Sequence, residues 1–348
     1  MDVATQGLAS LVVARAFVPR ASWRAWGVIV VAGTIANVDF ISSMMSPDVY
    51  LAWHRTYSHS IVVSLIAGSI LAAGYLYLNR DYARASMGAA VPRPYKGGGP
   101  APAFFAAVIV AGLLHLALDA AQSAGTMIFW PLSRQRVALD WLPRVDPWII
   151  AILLVALLLP ELTRLVSEEI GAKSRAPRGR TGAIVGLAVL ALYVGVRADL
   201  HSNAVAILQN NSYGGEAPRR VAAYPDAGSP FAWNGIVETE RALHPSFVSV
   251  STKTRFDPDN GETLFKPEPS SILDQAQRSA AARKFLALAT FPKADVEKLP
   301  DGYEVELRDL RYAATGDTKN EIRARVDLDA NGKVLDDELF WENDAKRR

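Results

Sequence analysis

Six apolar stretches, each close to the length of a bilayer crossing, fill the first two hundred residues of this chain. They run roughly over 2–18, 25–45, 60–79, 103–124, 147–163 and 181–198. A spanning helix needs about 20 mainly apolar residues, with about 17 as a lower bound. The third and fourth stretches are the clearest. The first is short and carries Gln6 and Arg15, which places part of it in the interface. The fifth is short but strongly apolar from Trp148 to Leu159, and Pro160 is expected to end it.

Charged residues thicken after about residue 200. Half of the 348 residues are hydrophobic, too many for an ordinary soluble protein of this length, yet the apolar ones are concentrated in the first part. The expected fold class is therefore a polytopic α-helical membrane domain over 1–200, followed by a small soluble α+β domain over 201–348. The net charge is only +2, so no nucleic-acid partner is expected. The chain has no cysteine, which excludes disulfides and thiolate metal sites. Any metal must be held by nitrogen and oxygen. Met1 to Arg20 lacks a basic segment ahead of its apolar run and reads as a retained helix rather than a signal peptide.

The loops differ in charge. The first, third and fifth hold eleven basic residues: Arg20 and Arg24; Arg80, Arg84, Arg93 and Lys96; Arg164, Lys173, Arg175, Arg178 and Arg180. The second and fourth hold four, Arg55, Arg134, Arg136 and Arg144. Basic loops stay in the cytoplasm. With six spans, the second and fourth loops and the tail then face outward, into the periplasm of a Gram-negative cell. Gly97-Gly98-Gly99-Pro100 in the third loop reads as a linker, because it lacks the lysine and strand–helix setting of a phosphate loop. In the tail, Ala232–Glu240, Ser246–Thr252, Gly302–Tyr312 and Glu321–Asp329 read as strands and Ser270–Ala289 as a helix. Asn331-Gly332 supplies a hairpin turn.

Two groups of metal-type ligands stand at the ends of the apolar stretches. One is Asp39 followed by His54-Arg55-Thr56-Tyr57-Ser58-His59-Ser60; the other is His115-Leu116-Ala117-Leu118-Asp119. They hold three of the chain's five histidines. Ionisable groups in or beside a membrane segment are costly, and mark functional sites. Asp39, His54, His59, His115 and Asp119 all approach the outer boundary under a topology drawn from Lys and Arg alone. His115 and Asp119, four residues apart, share one helix face. Imidazole and carboxylate donors suit zinc first, and also manganese or iron, as one ion or two. Arg55 is placed to hold an anionic group through paired hydrogen bonds. Asp140 and Asp146 lie on the same side, as a general base or further ligands.

Structural readings compete. A lone intramembrane His or Asp can be a helix–helix hydrogen bond. Asp146-Pro147 can simply start the fifth helix. His201 and His244 read as ordinary surface residues. Tryptophans 23, 26, 130, 141 and 148 fit an interfacial belt.

In these motifs the chain resembles the YdjM-like inner-membrane proteins, described as metal-dependent hydrolases. The likeness rests on Met1 to Leu8, Asn37-Val38-Asp39, His54 to Ser60, His115 to Asp119, Gly125-Thr126 with Trp130-Pro131, Ala138 to Trp141 and Asp146-Pro147. Tyr224-Pro225 to Glu240 is similar to the tail of longer members. The resemblance implies a distant likeness to zinc-dependent phospholipase C enzymes, hence phosphoester hydrolysis by analogy. Two positions depart from the pattern: similar proteins often carry histidine where Gln6 stands, and Pro-Asp where Val38-Asp39 stands.

These readings converge on a membrane-bound, metal-dependent hydrolase of the inner membrane acting on a lipid or lipid-linked phosphoester at the outer leaflet boundary. The alternative is a non-catalytic membrane protein with a structural metal and a periplasmic binding module. A transporter would place its ionisable groups near the midplane on broken helices; these lie near helix ends.

Overall fold

The computed structural model describes residues 1–79, 101–169, 179–251 and 256–345. Arg80, Arg84, Arg93, Lys96, the glycine linker at 97–100, Lys173, Arg175, Arg178 and the expected strand end at Thr252 lie outside the described residues. The chain divides into two compact units, Met1–Ile41 with Trp53–Arg197, and Ser42–Ala52 with Ala198–Arg348.

All six apolar stretches are helical. They form α1 (Val3–Phe17), α2 (Trp23–Ala32) continued by a 3-10 stretch (Ile35–Met44), α4 (Ile61–Leu78), α5 (Ala101–Ala120), α6 (Pro147–Glu169) and α7 (Arg180–Gln209). A short α3 (Pro47–Trp53) and a 3-10 turn (Tyr57–His59) lie between the second and third. Among the described residues α4, α5, α6 and α7 are long and apolar enough to cross a membrane, and α2 with its 3-10 continuation makes a fifth if the bent pair is one span. At 15 residues α1 falls short. Of the four long helices α5 is the most enclosed by its neighbours, 44% against 11% for α4, so α5 is the hub and α4 turns most of its apolar surface outward. Val12, Leu118, Leu142, Ile149 and Leu153 pack on one side of it and Val13, Ile29, Phe104, Ala107 and Val108 on the other. Each such buried aliphatic side chain removes apolar area worth about 25 cal/mol per Å² in water; in lipid the close fit of small residues matters more. Gly182 and Gly186 allow that fit, since a Cβ there would stand 2.5 Å from Pro160 and 2.3 Å from Ala156.

Two helix expectations need correction. The stretch 25–45 is not one helix: it bends by 55° after Ala32. Gly33 caps α2, and the Thr34 hydroxyl donates back to the Val30 carbonyl at 2.8 Å, a bond that loosens the regular ladder. Pro160 does not end α6 but lies inside it. Membrane helices run through proline where other groups take up the disturbed carbonyls, and Arg15 donates to the Leu157 oxygen at 2.6 Å while pairing with Glu161.

The second unit holds two antiparallel four-stranded sheets. β1 (Arg220–Pro225), β2 (Ala232–Glu238), β3 (Ala242–Ser249) and β4 (Leu264–Phe265) form one in chain order. β5 (Pro292–Leu299), β6 (Gly302–Asp309), β7 (Ile322–Asp329) and β8 (Val334–Trp341) form the other, also in order. α8 (Ser271–Gln277) and α9 (Ala280–Leu286) cover the second sheet through Leu273, Ala276, Ala282 and Phe285. The expected single helix over 270–289 is thus two, because Ser279 caps a new start by accepting from the Ala282 amide at 3.2 Å. Asn331-Gly332 turns β7 into β8, with Gly332 at φ +81°. β1, β4, β5 and β8 went unread in the sequence; the exposed side chains along β5 give it no alternating apolar face. His244 is not a surface residue: it is 6% exposed within β3, between Thr239 and Thr263.

The segment Ser42–Ala52, which carries α3, belongs to this second unit. Tyr50 is buried, its ring 5.0 Å from that of Trp341 at the end of β8 in an edge-to-face arrangement. Asp48 pairs with Lys284 at 2.7 Å. Such a ring pair contributes about 1 kcal/mol beyond its area burial.

Candidate metal centre

The end of α5 supplies one wall of the site. His115 and Asp119 are buried on one face of that helix, and Gln122, also buried, follows just past its end. The second wall is the turn before α4, where Ser60 caps the helix by accepting from the Val63 amide at 3.1 Å and places His59 beside α5. His59 Nε2 lies 3.1 Å, and His115 Nε2 3.3 Å, from the same oxygen, Asp119 Oδ2. Among the described residues these three side chains form the one group whose ligand atoms converge, all within 4.8 Å of one another.

The other face of each imidazole is occupied. His115 Nδ1 meets the carbonyl of Gly33 at 2.8 Å. That carbonyl is available because α2 ends there, and the last carbonyls of a helix have no partner within it. His59 Nδ1 faces Asp39 Oδ2 at 3.0 Å. An acceptor on Nδ1 fixes the proton there and leaves Nε2 as a lone pair, the form in which histidine binds metal. Two lone pairs and a carboxylate oxygen then point at one place, and all three atoms are buried without a hydrogen-bond partner. Three orphaned acceptors facing one another are repulsive unless a cation or a proton lies between them. The donor set therefore fits a divalent metal, and this buried His59–His115–Asp119 cluster could hold one.

Asp39 takes a different position from the other carboxylate. Its Oδ2 accepts from the Arg55 amide at 2.8 Å, the Ser58 hydroxyl at 2.9 Å and the His59 ring. Three donors on one oxygen make it an anchor for the turn rather than part of the converging trio. His54 lies 3.6 Å from Asp39 Oδ1.

Arg55 is buried too, in the left-handed region at φ 56°. Its guanidinium donates to Gln122 Oε1 at 2.8 Å and lies 3.7 Å from Asp119 Oδ1, while Nη1 has no hydrogen-bond partner. The two loops that carry these residues are tied together. Met127 N donates to the Arg55 carbonyl, the Thr126 hydroxyl to the His59 carbonyl and Arg136 to the His54 carbonyl, at 3.1–3.2 Å. Asp140, at φ 57°, sits where the chain returns to the end of α5, its neighbours Leu139 and Trp141 bonded to Ala120 and Ala121. Asp146 stands apart: Oδ1 accepts from the Trp148 and Ile149 amides that open α6, and Oδ2 from the Tyr193 hydroxyl at 2.9 Å.

Gln6, noted in the sequence as departing from the family pattern, reaches the site, and other contributors were not singled out. Gln6 donates to Asp119 Oδ1 at 3.0 Å and accepts from Asn37, and the Met1 amino group also meets that oxygen. Gln122 holds Arg55 and donates to the Pro143 and Arg144 carbonyls. It lies just beyond the end of α5, where helical spacing no longer applies. Gly33 acts through its backbone and leaves no sign in the sequence.

The profile of the YdjM inner membrane protein family matches residues 1–203, more than half of the chain, and that of the YfhP C-terminal alpha/beta plait domain matches residues 271–348. No curated protein and no solved structure matches. The chain belongs to the YdjM inner membrane protein family.

Proposed function

We propose that this YdjM inner membrane protein is a metal-dependent hydrolase of phosphoesters, acting on a lipid or lipid-linked substrate at the outer leaflet boundary. The observation that carries the reading is the count of converging donors. Three protein atoms meet at one point. Three protein ligands with one position left for water is the pattern of catalytic zinc, whereas structural zinc is closed by four.

When bound, the metal supplies a Lewis acid and a water of lowered pKa. The remaining work falls to side chains. His59, His115 and Asp119 hold the ion; Asp39 and the Gly33 carbonyl fix the two imidazoles so that Nε2 faces inward. Arg55 offers its free Nη1–H to an anionic oxygen of the substrate. His54, with a side chain 20% exposed, lies beside Asp39 as a further metal ligand. Asp140, whose neighbours are bonded to the end of α5, would be the group to accept a proton there. Asp146, a candidate for that role by sequence, has both oxygens engaged in starting α6 and holding Tyr193.

The membrane domain over 1–200 would carry this chemistry and the domain over 201–348 would lie on the same side. The basic residues of the first, third and fifth loops, against the four of the second and fourth, support a periplasmic tail.

Burial of all three ligands favours the alternative, a structural metal in a non-catalytic protein. The deciding experiment is elemental analysis of the detergent-purified protein with His115→Ala alongside, followed by a phosphoester screen. Stoichiometric zinc, manganese or iron in the wild type, lost in the variant, and turnover of a lipid phosphoester are expected. Metal without turnover on any phosphoester leaves the structural role; no metal after reloading removes both.

A further inference from the structure

The 3-10 stretch Ile35–Met44 is ten residues long, where runs beyond three or four are uncommon. With three residues to a turn, side chains three apart stand in one row. Ala36 and Asp39 form a buried row, Asp39 being 9% exposed. Ile35, Val38 and Ile41 form the next row, all aliphatic and 41%, 60% and 61% exposed. This row continues Val31, an exposed residue of α2 four positions ahead of Ile35. Its depth follows from its neighbours. Ser22, which caps α2, lies 3.3 Å from the Tyr75 hydroxyl near the end of α4. Asp39 lies against the Arg55 amide and the Ser58 hydroxyl, just ahead of the start of α4. The bent pair therefore runs the length of α4, as one broken span and not as a re-entrant loop. Gly33 meets His115, five residues before the end of α5, so the row begins about 7 Å short of that end at 1.5 Å per residue. At that depth headgroups give way to acyl chains.

We infer that Ile35, Val38 and Ile41 are a lipid-contact surface beside the metal centre, against which an acyl chain of a bilayer phospholipid lies. The row is the continuation of a membrane-crossing segment and carries only aliphatic side chains, so acyl chains are the contact it meets at that depth. Asp39 stands in the next row of the same 3-10 stretch and bonds to His59. A phospholipid lying on the exposed row brings its headgroup to the level of Asp39, one helix width from the residues that orient His59. The inference deepens the proposed function by naming an acylated phosphoester, not a water-soluble one, as the substrate, and it rests on that reading for this consequence alone.

The test uses the full chain in vesicles of phosphatidylethanolamine and phosphatidylglycerol. The sequence has no cysteine, so Val38→Cys or Ile41→Cys takes a nitroxide label at that position alone. Ile66→Cys, on the exposed side of α4, is the lipid reference, and Gln135→Cys, exposed in the loop after α5, is the water reference. Collision of the label with oxygen, which concentrates among acyl chains, is compared with collision with a polar nickel chelate, which stays in water. The oxygen-to-nickel ratio in Val38→Cys and Ile41→Cys should match that in Ile66→Cys and exceed that in Gln135→Cys at least about tenfold. A ratio like that of Gln135→Cys places the row in water, and weak collision with both reagents places it under protein, such as a second copy of this chain; either result overturns the inference. In the double variant Val38→Asp, Ile41→Asp, the ratio of kcat/KM for a long-chain over a short-chain phosphoester should fall at least about tenfold, the worth of two methylene contacts. An unchanged ratio overturns the consequence for substrate. If the wild type hydrolyses no phosphoester, the proposed function fails, while the collision ratios still decide the lipid contact.

Discussion

His115 Nδ1 stands 2.8 Å from the carbonyl oxygen of Gly33, a bond between the hub helix and the broken end of α2. It settles which nitrogen of His115 faces Asp119. Gly33 is there for space: a Cβ at that position would lie 2.0 Å from Ser10 Oγ and 3.4 Å from Ala111 Cβ. Gly33→Ala should therefore push α2 away from α1 and α5, costing about 1–3 kcal/mol as overpacking does and weakening metal binding with it. Adding Ser10→Ala removes the nearest clash and should recover part of both. Thermal midpoint and Co(II) affinity, measured on the single and double variants, check this; recovery of stability without affinity would separate Gly33 from the site.

The two aspartates should behave differently. Asp119 Oδ2 faces both imidazole lone pairs, whereas Asp39 Oδ2 is covered by three donors. Asp119→Ala is expected to abolish bound metal, as is His59→Ala. Asp39→Ala should weaken affinity about 10- to 100-fold and leave a measurable site. His244→Ala, in the tail, should leave metal content unchanged. Equal losses from Asp39 and Asp119 would make Asp39 a ligand.

Much of this was legible in the sequence. The six apolar stretches are helices because lipid-length hydrophobic runs admit little else, and His115 with Asp119 share a face because four residues make about one helical turn. What escaped reading acts through the backbone or through long-range packing. The bend after Ala32 depends on a glycine and a threonine that would also suit an unbroken helix. The role of Gly33 resides in its carbonyl, which every residue has. Asp39 and Asp119 look alike as letters, and only the donors around each tell an anchor from a converging group. Ser42–Ala52 reads as an ordinary loop because Trp341, which holds it, is nearly three hundred residues away.

Gln6 is buried beside the converging trio. Its amide nitrogen is 3.0 Å from Asp119 Oδ1, and Asn37 holds its oxygen. Gln6→His should add an imidazole donor beside the existing three groups. Metal affinity is expected to rise at least about tenfold, or about 1.4 kcal/mol, with slower loss to chelator. Chelator competition measures it; unchanged affinity would place position 6 outside the reach of the ion.

Acid should loosen the tail through His244. Burial in β3 holds its pKa below the ordinary histidine value, against the charge of Glu216. The folded tail therefore keeps this ring neutral, while the unfolded chain takes up a proton near pH 6.5, roughly. Above that pH both states are neutral and the contribution is complete. As pH falls below it, the unfolded state gains a proton that the folded state refuses, and stability declines until the lowered folded pKa is passed. The thermal midpoint of the tail should drop between pH 7.5 and 5.5, and the drop should shrink in His244→Asn. The same pH dependence in that variant would assign the effect to other groups.

Asp140 offers a separation of fold from chemistry. Its φ of 57° lies in the left-handed region, where aspartate and asparagine are tolerated and most other side chains are strained. Its neighbours are fastened to the end of α5, one residue beyond Asp119. Asp140→Asn keeps the backbone preference and the shape while removing the carboxylate that would accept a proton. That variant should fold and bind metal like the wild type yet lose at least about a hundredfold in turnover, the lower range for a general base. Asp140→Gly should also hold the turn, whereas Asp140→Val should cost about 1–3 kcal/mol, because a β-branched side chain is strained there. Metal content, thermal midpoint and hydrolysis rate, read on the three variants together, distinguish a base from a turn residue. Full turnover in Asp140→Asn would pass the proton-accepting role to another group.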